Sequence, residues 1–240
     1  MKTISILTPT RGRPARLGQF IKSVYETATD RQRIEMLMYV DSDDEAKNAY
    51  MDYLLFSQEE FSEFLRVHMV FGEPKSVSKS WNDLYERCLG DIIIMGNDDL
   101  LYRTPGWDRT VEQNSDNYPD DIYCMWMNDG IHVQPGGGHC AFPIVSKKWC
   151  DTLGYFTPGV YNFGYNDAWI FEVAQLVGRT QWLEHVHGEH MHFSVGKSVQ
   201  DKTYLENRQG KFQGDAAIHE KTRQQRVADA QKLKEVMNES

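Results

Sequence analysis

Residues Ile92 to Met95 are apolar at every position and run straight into Gly96-Asn97-Asp98-Asp99. No other feature constrains the fold as much. Successive side chains of a strand point to opposite faces, so a strand apolar on both faces must be covered on both. That is the condition of an inner strand in a parallel sheet flanked by helices. The same logic repeats upstream. Ile4 to Leu7, Met36 to Val40 and Leu65 to Phe71 are strand-type runs, and from Pro14 the apolar residues Leu17, Phe20, Ile21 and Val24 recur at helical spacing. Asp44 to Leu55 and Val77 to Leu89 read as the next helices, and strands alternating with helices predict an α/β fold with a mostly parallel sheet.

Beyond residue 105 the alternation loosens. Trp107, Trp126, a Pro135-Gly136-Gly137-Gly138 turn and a strand-like stretch from Cys140 to Val145 come first. A helix from Asn166 to Leu176, a strand near Gln181 to Val186 and a His-rich loop follow. The Ala/Lys/Gln content from about Asp215 favours a polar C-terminal helix. These boundaries predict one domain over 1–214 with a helical tail over 215–240, and no repeat or low-complexity linker divides it.

A length of 240 residues with 40% hydrophobic and 25% charged residues suffices for one sizeable core. The net charge of −9 argues against a general electrostatic grip on nucleic acid, leaving two local basic patches, Arg11/Arg13/Arg16 and Lys221/Arg223/Arg226. Cys88, Cys124, Cys140 and Cys150 show no paired spacing and read as small core residues in a reducing compartment. No apolar run is long enough for a membrane span, so a cytoplasmic protein is expected.

Four constellations carry candidate chemistry. Asn97-Asp98-Asp99 ends a buried strand, where clustered carboxylates repel one another unless a cation neutralises them; the alternative is a simple Asx-type turn. His185, His187, His190 and His192 offer imidazoles to a metal, or are polar groups on an exposed loop. Asn166-Asp167 opens a helix, where Asp167 either caps it or accepts a proton from an attacking hydroxyl. Thr8-Pro9-Thr10-Arg11-Gly12-Arg13 joins the first strand to the first helix and offers hydroxyls, amides and guanidinium groups to an anionic nucleotide, although surface arginines at a helix start are common.

In this order the segments resemble family 2 glycosyltransferases of the GT-A (Rossmann-like) fold, and among them small phage and prophage members, over residues 3 to about 205. ISILTPTRGRPARL looks like the family's opening strand and donor loop. YVDSDD looks like the second strand with its nucleobase-reading acidic residues, Asp41 and Asp43. Ser76-Val-Ser-Lys-Ser-Trp-Asn82 resembles the helix that leads to the metal strand, with Ser80-Trp81-Asn82 where the family commonly has Ala-Arg-Asn. Asn97-Asp98-Asp99 stands where it has Asp-x-Asp.

The resemblance implies a nucleotide-sugar half over 1–104 and an acceptor half over 105–214. It implies a donor site built from Thr8, Pro9, Thr10, Arg11, Arg13, Asp41, Asp43, Asn82, Asn97 and Asp98. A divalent cation, Mn2+ or Mg2+, would be held by Asp98, Asp99 and a histidine of the run GEHMHFSVGKSVQDKTY, His192 matching best and His190 next. FGYNDAW matches the segment that places the base, which makes Asp167 the catalytic residue, with Asn166 replacing its acidic neighbour. The implied reaction is an inverting transfer from a nucleotide sugar, UDP-hexose being the commonest choice, to a hydroxyl of a modified DNA base, a saccharide or a protein. Tyr161, Phe163, Tyr165 and Trp169 surround the base and either stack on a ring or belong to the core. Two other readings stay open: a nucleotidyltransferase on a related scaffold, which calls for a Lys-bearing glycine-rich loop that is absent here, and a non-catalytic binding module.

Overall fold

In a computed structural model that describes residues 1–134, 138–208 and 211–239, the apolar run becomes an inner strand between two strands of opposite direction. The Pro135-Gly136-Gly137 part of the sequence-predicted turn lies outside these residues. The first half alternates β1 (Ile4–Thr10), α1 (Pro14–Thr27), β2 (Ile34–Asp41), α2 (Lys47–Glu60), β3 (Arg66–Gly72), α3 (Val77–Tyr85) and β4 (Ile92–Met95). Then come β5 (Leu100–Tyr102), α4 (Trp107–Ser115), β6 (Cys124–Asn128), β7 (Ile144–Ser146), α5 (Lys147–Leu153), α6 (Asn166–Val177) and β8 (Thr180–His190). The C-terminal segment forms α7 (Lys202–Arg208), α8 (Lys211–Lys221) and α9 (Arg223–Glu239).

The sheet order is β3-β2-β1-β4-β7-β6-β8-β5. β3, β2, β1 and β4 are parallel; β7 runs antiparallel to both β4 and β6, β8 is parallel to β6, and β5 antiparallel to β8. A Rossmann-like parallel half is thus extended by a mixed half, the arrangement of the GT-A fold.

Each face of the sheet has its own core. On one, α1 buries Leu17, Phe20, Ile21 and Val24 against Ile4, Ile6, Met36 and Ile94. Full burial of each such side chain contributes roughly 1.5–3 kcal/mol. On the other, Trp81, Leu84, Trp149, Trp169 and Val173 cover Leu7, Ile93 and Val145. Gly90 allows a close approach there: a Cβ on it would stand 2.7 Å from the Ser5 backbone nitrogen, and its own N–H donates to Ser5 Oγ at 2.8 Å.

The structure departs from the sequence expectation in several elements. The strand expected near Gln181 to Val186 continues to His190, so His187 and His190 lie on a strand instead of a loop. The expected Cys140–Val145 stretch is strand only from Ile144. The polar C-terminal helix is packed into the second core through Ala230 and Leu233, both buried, and Arg226 of the basic patch is buried against Glu172 with Nε to Oε2 at 2.6 Å. Cys124, Cys140 and Cys150 are buried and Cys88 is half-buried; all four are free thiols. No helix among the described residues is long and apolar enough to cross a membrane.

Candidate functional site

The carboxyl ends of β1, β2 and β4 open onto a cavity of about 630 Å3, a volume typical of small-ligand sites. Pro9, Thr10, Arg11 and Arg13 from the first loop, Asp41 and Asp43 after β2, and Asn97 and Asp98 after β4 form one wall. Asn162 to Asp167 form the other, and Thr203 and Phe212 approach from the C-terminal segment.

The donor-loop residues are locked before any ligand arrives. Arg11 Nη1 bonds Asp41 Oδ2 at 2.9 Å and also pairs with Asp43. Gly12, at φ +69, donates its N–H to Asp44 Oδ2 at 2.7 Å, and the Arg13 N–H donates to the Tyr50 hydroxyl at 2.7 Å. Two residues expected here sit elsewhere. Thr8 is fully buried against Gly96, where a Cβ would come within 2.1 Å of its Oγ1, and it lies off the cavity wall. Asn82 is a scaffold: its Oδ1 accepts from the backbone of Phe156 and Thr157, at 3.1 and 2.9 Å, and its Nδ2 donates to Thr157 O at 2.8 Å. Trp81, in the place of the family's arginine, lines the cavity and anchors β1 through Nε1 to Leu7 O at 2.9 Å.

Asp98 and Asp99 are each only 3% exposed, so every charge on them has to be answered locally. Asp98 accepts from Thr10 Oγ1 at 2.7 Å and from Arg13 Nη1 at 3.1 Å. Burial still pushes its carboxyl up to about 6, with the Asp99 charge adding to the rise and Arg13 and Thr10 opposing it. Burial also acts to raise Asp99, but the His190 imidazole, the Tyr204 hydroxyl and the Arg13 charge outweigh it and hold that carboxyl down to about 2.

Asp99 Oδ1 has no hydrogen-bond partner; His190 Nε2 stands 3.5 Å away, an ion-pair distance too long for a good hydrogen bond. An orphaned carboxylate oxygen facing an imidazole nitrogen suits a hard divalent cation, and Mg2+ or Mn2+ commonly takes one or two protein ligands and completes its shell with substrate phosphates and water. Among the described residues no three His, Cys, Asp or Glu side chains are arranged to hold a metal ion; the Asp99–His190 pair stands beside Asp98. His192 is turned to another task. Its Nδ1 accepts from Ser194 N at 3.2 Å and lies 2.6 Å from Ser194 Oγ, with its ring against Phe193 and Tyr204. His185 and His187 are exposed on β8.

Across the cavity, α6 begins after Tyr165, a left-handed residue at φ +64, and no side chain caps the helix. Asp167 is therefore not the N-cap. It lies in the first turn, where the helix dipole favours a negative charge, and its Oδ2 is 2.9 Å from His139 Nε2. The loop before it is held from the C-terminal segment: Asp215, fully buried on α8, accepts the N–H groups of Asn162, Phe163 and Gly164 at 2.9, 2.8 and 3.0 Å. Of the four aromatics near Asp167, Phe163 and Tyr165 line the cavity and Tyr165 packs tilted on Phe212 at 5.1 Å, whereas Tyr161 and Trp169 belong to the core. Sequence reasoning missed His139, Asp201, Tyr204 and Asp215. The Asp-Lys-Thr-Tyr run containing two of them belonged to the resembling segment, but nothing local marks them as site residues.

The fold and the paired carboxylates at its strand ends define the class as a GT-A-type α/β protein. Among solved structures, the mannosyltransferase PcManGT of Pyrobaculum calidifontis, in complex with GDP-Man and Mn2+, is similar with a TM-score of 0.64 at 13% identity, over 85% of this chain and 59% of that one. S. aureus TarS 1-349 in complex with UDP-GlcNAc is similar with a TM-score of 0.57 at 12% identity, over 85% of this chain and 64% of that one. The chain thus spans less than two thirds of these relatives, and at such identities the likeness establishes the fold. No protein-family model matches the chain, and no curated protein matches it in sequence.

Proposed function

We propose that the chain is a glycosyltransferase that moves a sugar from a nucleoside-diphosphate sugar to an acceptor hydroxyl, in the manner of the family 2 enzymes that its motifs resemble. One observation carries the reading: a single cavity has Arg13, Asp98 and His190 on one wall, with Asp99 buried behind them against His190, and Asp167 on the other. Asp41 and Asp43 with Arg11 would meet the nucleoside, and the Arg13 guanidinium beside Asp98 stands near the expected diphosphate. Asp99 and His190 would hold a divalent cation, Mn2+ or Mg2+, whose charge stabilises the departing diphosphate.

In the transfer the bond from the anomeric carbon to the diphosphate oxygen breaks, a bond to the acceptor oxygen forms, and the acceptor proton passes to Asp167. Displacement in line inverts the anomeric centre. The net charge of −9 favours a saccharide or other small hydroxyl acceptor over duplex DNA, and the four free thiols fit a reducing cytoplasm, a phage-infected host cell included.

The test is thermal unfolding with UDP, GDP, UDP-GlcNAc and GDP-mannose, each with and without Mn2+, because a ligand bound only by the native state raises the midpoint. A rise selective for one nucleotide and dependent on Mn2+ is expected. No rise with any nucleotide in a well-folded protein would point to a non-catalytic module.

A further inference from the structure

His139 lies outside every motif named above, yet it makes the one direct side-chain bond to Asp167 among the described residues. Its slot is built stepwise. Asp129, buried, accepts the N–H groups of Ile131 and His132 at 2.9 and 2.7 Å, and its Oδ2 lies 2.7 Å from His132 Nδ1, so the His132 ring is fixed in place. That ring meets His139 edge-on at 5.1 Å, and Phe171 of α6 meets it edge-on at 6.3 Å. Cys140, next in sequence, is fully buried. The imidazole is therefore held between two ring contacts and its bond to Asp167.

We propose that His139 is a positioning residue for the transfer: its Nε2–H binds Asp167 Oδ2, fixing the carboxylate so that Oδ1 takes the acceptor proton. The inference rests on the glycosyltransferase reading above. An ionised carboxylate only accepts, so the contact requires a proton on Nε2, which the neutral imidazole supplies as its Nε2–H tautomer. The charged groups facing His139 are Asp167 from α6 and Asp129 from the loop after β6, with the titratable His132 beside it. The hydrogen bond to Asp167 raises the His139 pKa above its ordinary value, burial opposes it, and the Asp167 and Asp129 charges add to the rise. A doubly protonated His139 puts a positive charge against Asp167 and weakens it as a base. Turnover should then climb as His139 loses its proton, on an acid limb above the usual histidine range.

Two measurements test this. The first follows the His139 ring by NMR titration in the wild-type protein and in Asp167→Asn; the pKa should start above 6.5 and fall in the variant. The second follows nucleoside diphosphate release from UDP-GlcNAc and from GDP-mannose with Mn2+ and water as acceptor. His139→Ala should lower kcat by ~10- to 100-fold with donor KM nearly unchanged, as expected for a misplaced catalytic group. His139→Gln, which keeps an N–H donor but does not titrate, should recover much of kcat and move the acid limb to lower pH. A His139→Ala enzyme with wild-type kcat and pH profile overturns the proposal alone. So does a His139 pKa that does not move in Asp167→Asn, whether or not either donor is hydrolysed. Full turnover in Asp167→Asn overturns the assignment of the base and this proposal with it.

Discussion

Arg13 and Asp201 form a two-pronged ion pair across 188 positions of sequence, Nε to Oδ2 at 2.8 Å and Nη2 to Oδ1 at 2.9 Å. The Arg13 guanidinium lies over the Tyr204 ring, 4.0 Å from its centroid, and the Tyr204 hydroxyl donates to Asp99. Thr203 Oγ1 donates to Arg11 O at 3.0 Å. The four-residue stretch Asp201 to Tyr204 is thereby fastened to the donor loop and to the carboxylate pair together. Asp201→Ala should release it at a cost of ~1.5–3 kcal/mol, the range for a hydrogen bond to a charged group. Hydrogen exchange of the 201–206 amides should accelerate well before that of β1.

Arg13→Met should be costlier than Asp201→Ala, because it strands Asp98. That carboxylate is 3% exposed, and its other partner is the neutral Thr10 hydroxyl. Removing one member of a buried pair typically costs ~3–5 kcal/mol. For a chain of this size that is a fall in Tm of roughly 10 °C, readable by calorimetry. The double variant Arg13→Met/Asp98→Asn should recover part of the loss; no recovery would show that Arg13 stabilises by packing on Tyr204 and not by charge.

Asp215 permits a sharper separation of fold from site. Its carboxylate satisfies three successive backbone N–H groups of the loop that presents Asp167. Asp215→Ala orphans all three, at ~1–3 kcal/mol each if they stay buried. Asp215→Asn keeps one oxygen and should lose less than half as much in urea unfolding. Equal losses for the two variants would mean that the loop relaxes to water and that α8 does not hold it.

Much of this architecture was legible in the chain, for identifiable reasons. Ile92 to Met95, apolar on both faces, became a central strand, and the carboxylates directly after it fell at the strand end where the cavity forms. β8 was cut short by sequence reasoning because its outward residues are Glu184, His185 and His187, although buried Val186 and Gly188 continue the period of two. The last helix read as a solvated tail because two of its buried positions are ionic: Arg226 pairs with Glu172, and Asp229 accepts from Trp169 Nε1 at 3.3 Å. Asp201 and Tyr204 reach the donor loop through contacts spanning most of the chain, which no local pattern encodes.

Acid should weaken the closure of the site before it unfolds the sheet. For Asp201, burial acts upward, but hydrogen bonds from Arg13 and from the Tyr204 N–H, together with the Arg13 and Arg16 charges, leave its carboxyl below the ordinary range. Burial likewise acts upward on Asp129, and the backbone and ring of His132 with the Ile131 N–H outweigh it. A depressed folded-state pKa contributes stability that is fully present above the unfolded value, ~3.9, and is lost as pH falls through the folded one. Stability should therefore decline below about pH 4. Asp201→Asn should remove part of that slope, measured as urea midpoints from pH 5 to pH 2.5.

The histidine pair gives the test that divides cation binding from scaffolding. His190 Nε2 faces the unpartnered Asp99 Oδ1, whereas His192 Nδ1 is engaged by Ser194. If Asp99 and His190 hold the cation, the Mn2+-dependent part of nucleotide stabilisation should vanish in Asp99→Asn and His190→Ala and survive in His192→Ala. At a nucleotide concentration of ~100 Kd the wild-type effect is about 2.7 kcal/mol, several degrees in Tm for a chain of this length. Chelation by EDTA should remove the same increment from wild-type protein and none from the two deficient variants. Loss in His192→Ala with retention in His190→Ala would reverse the assignment and require the segment after β8 to turn His192 inward on binding.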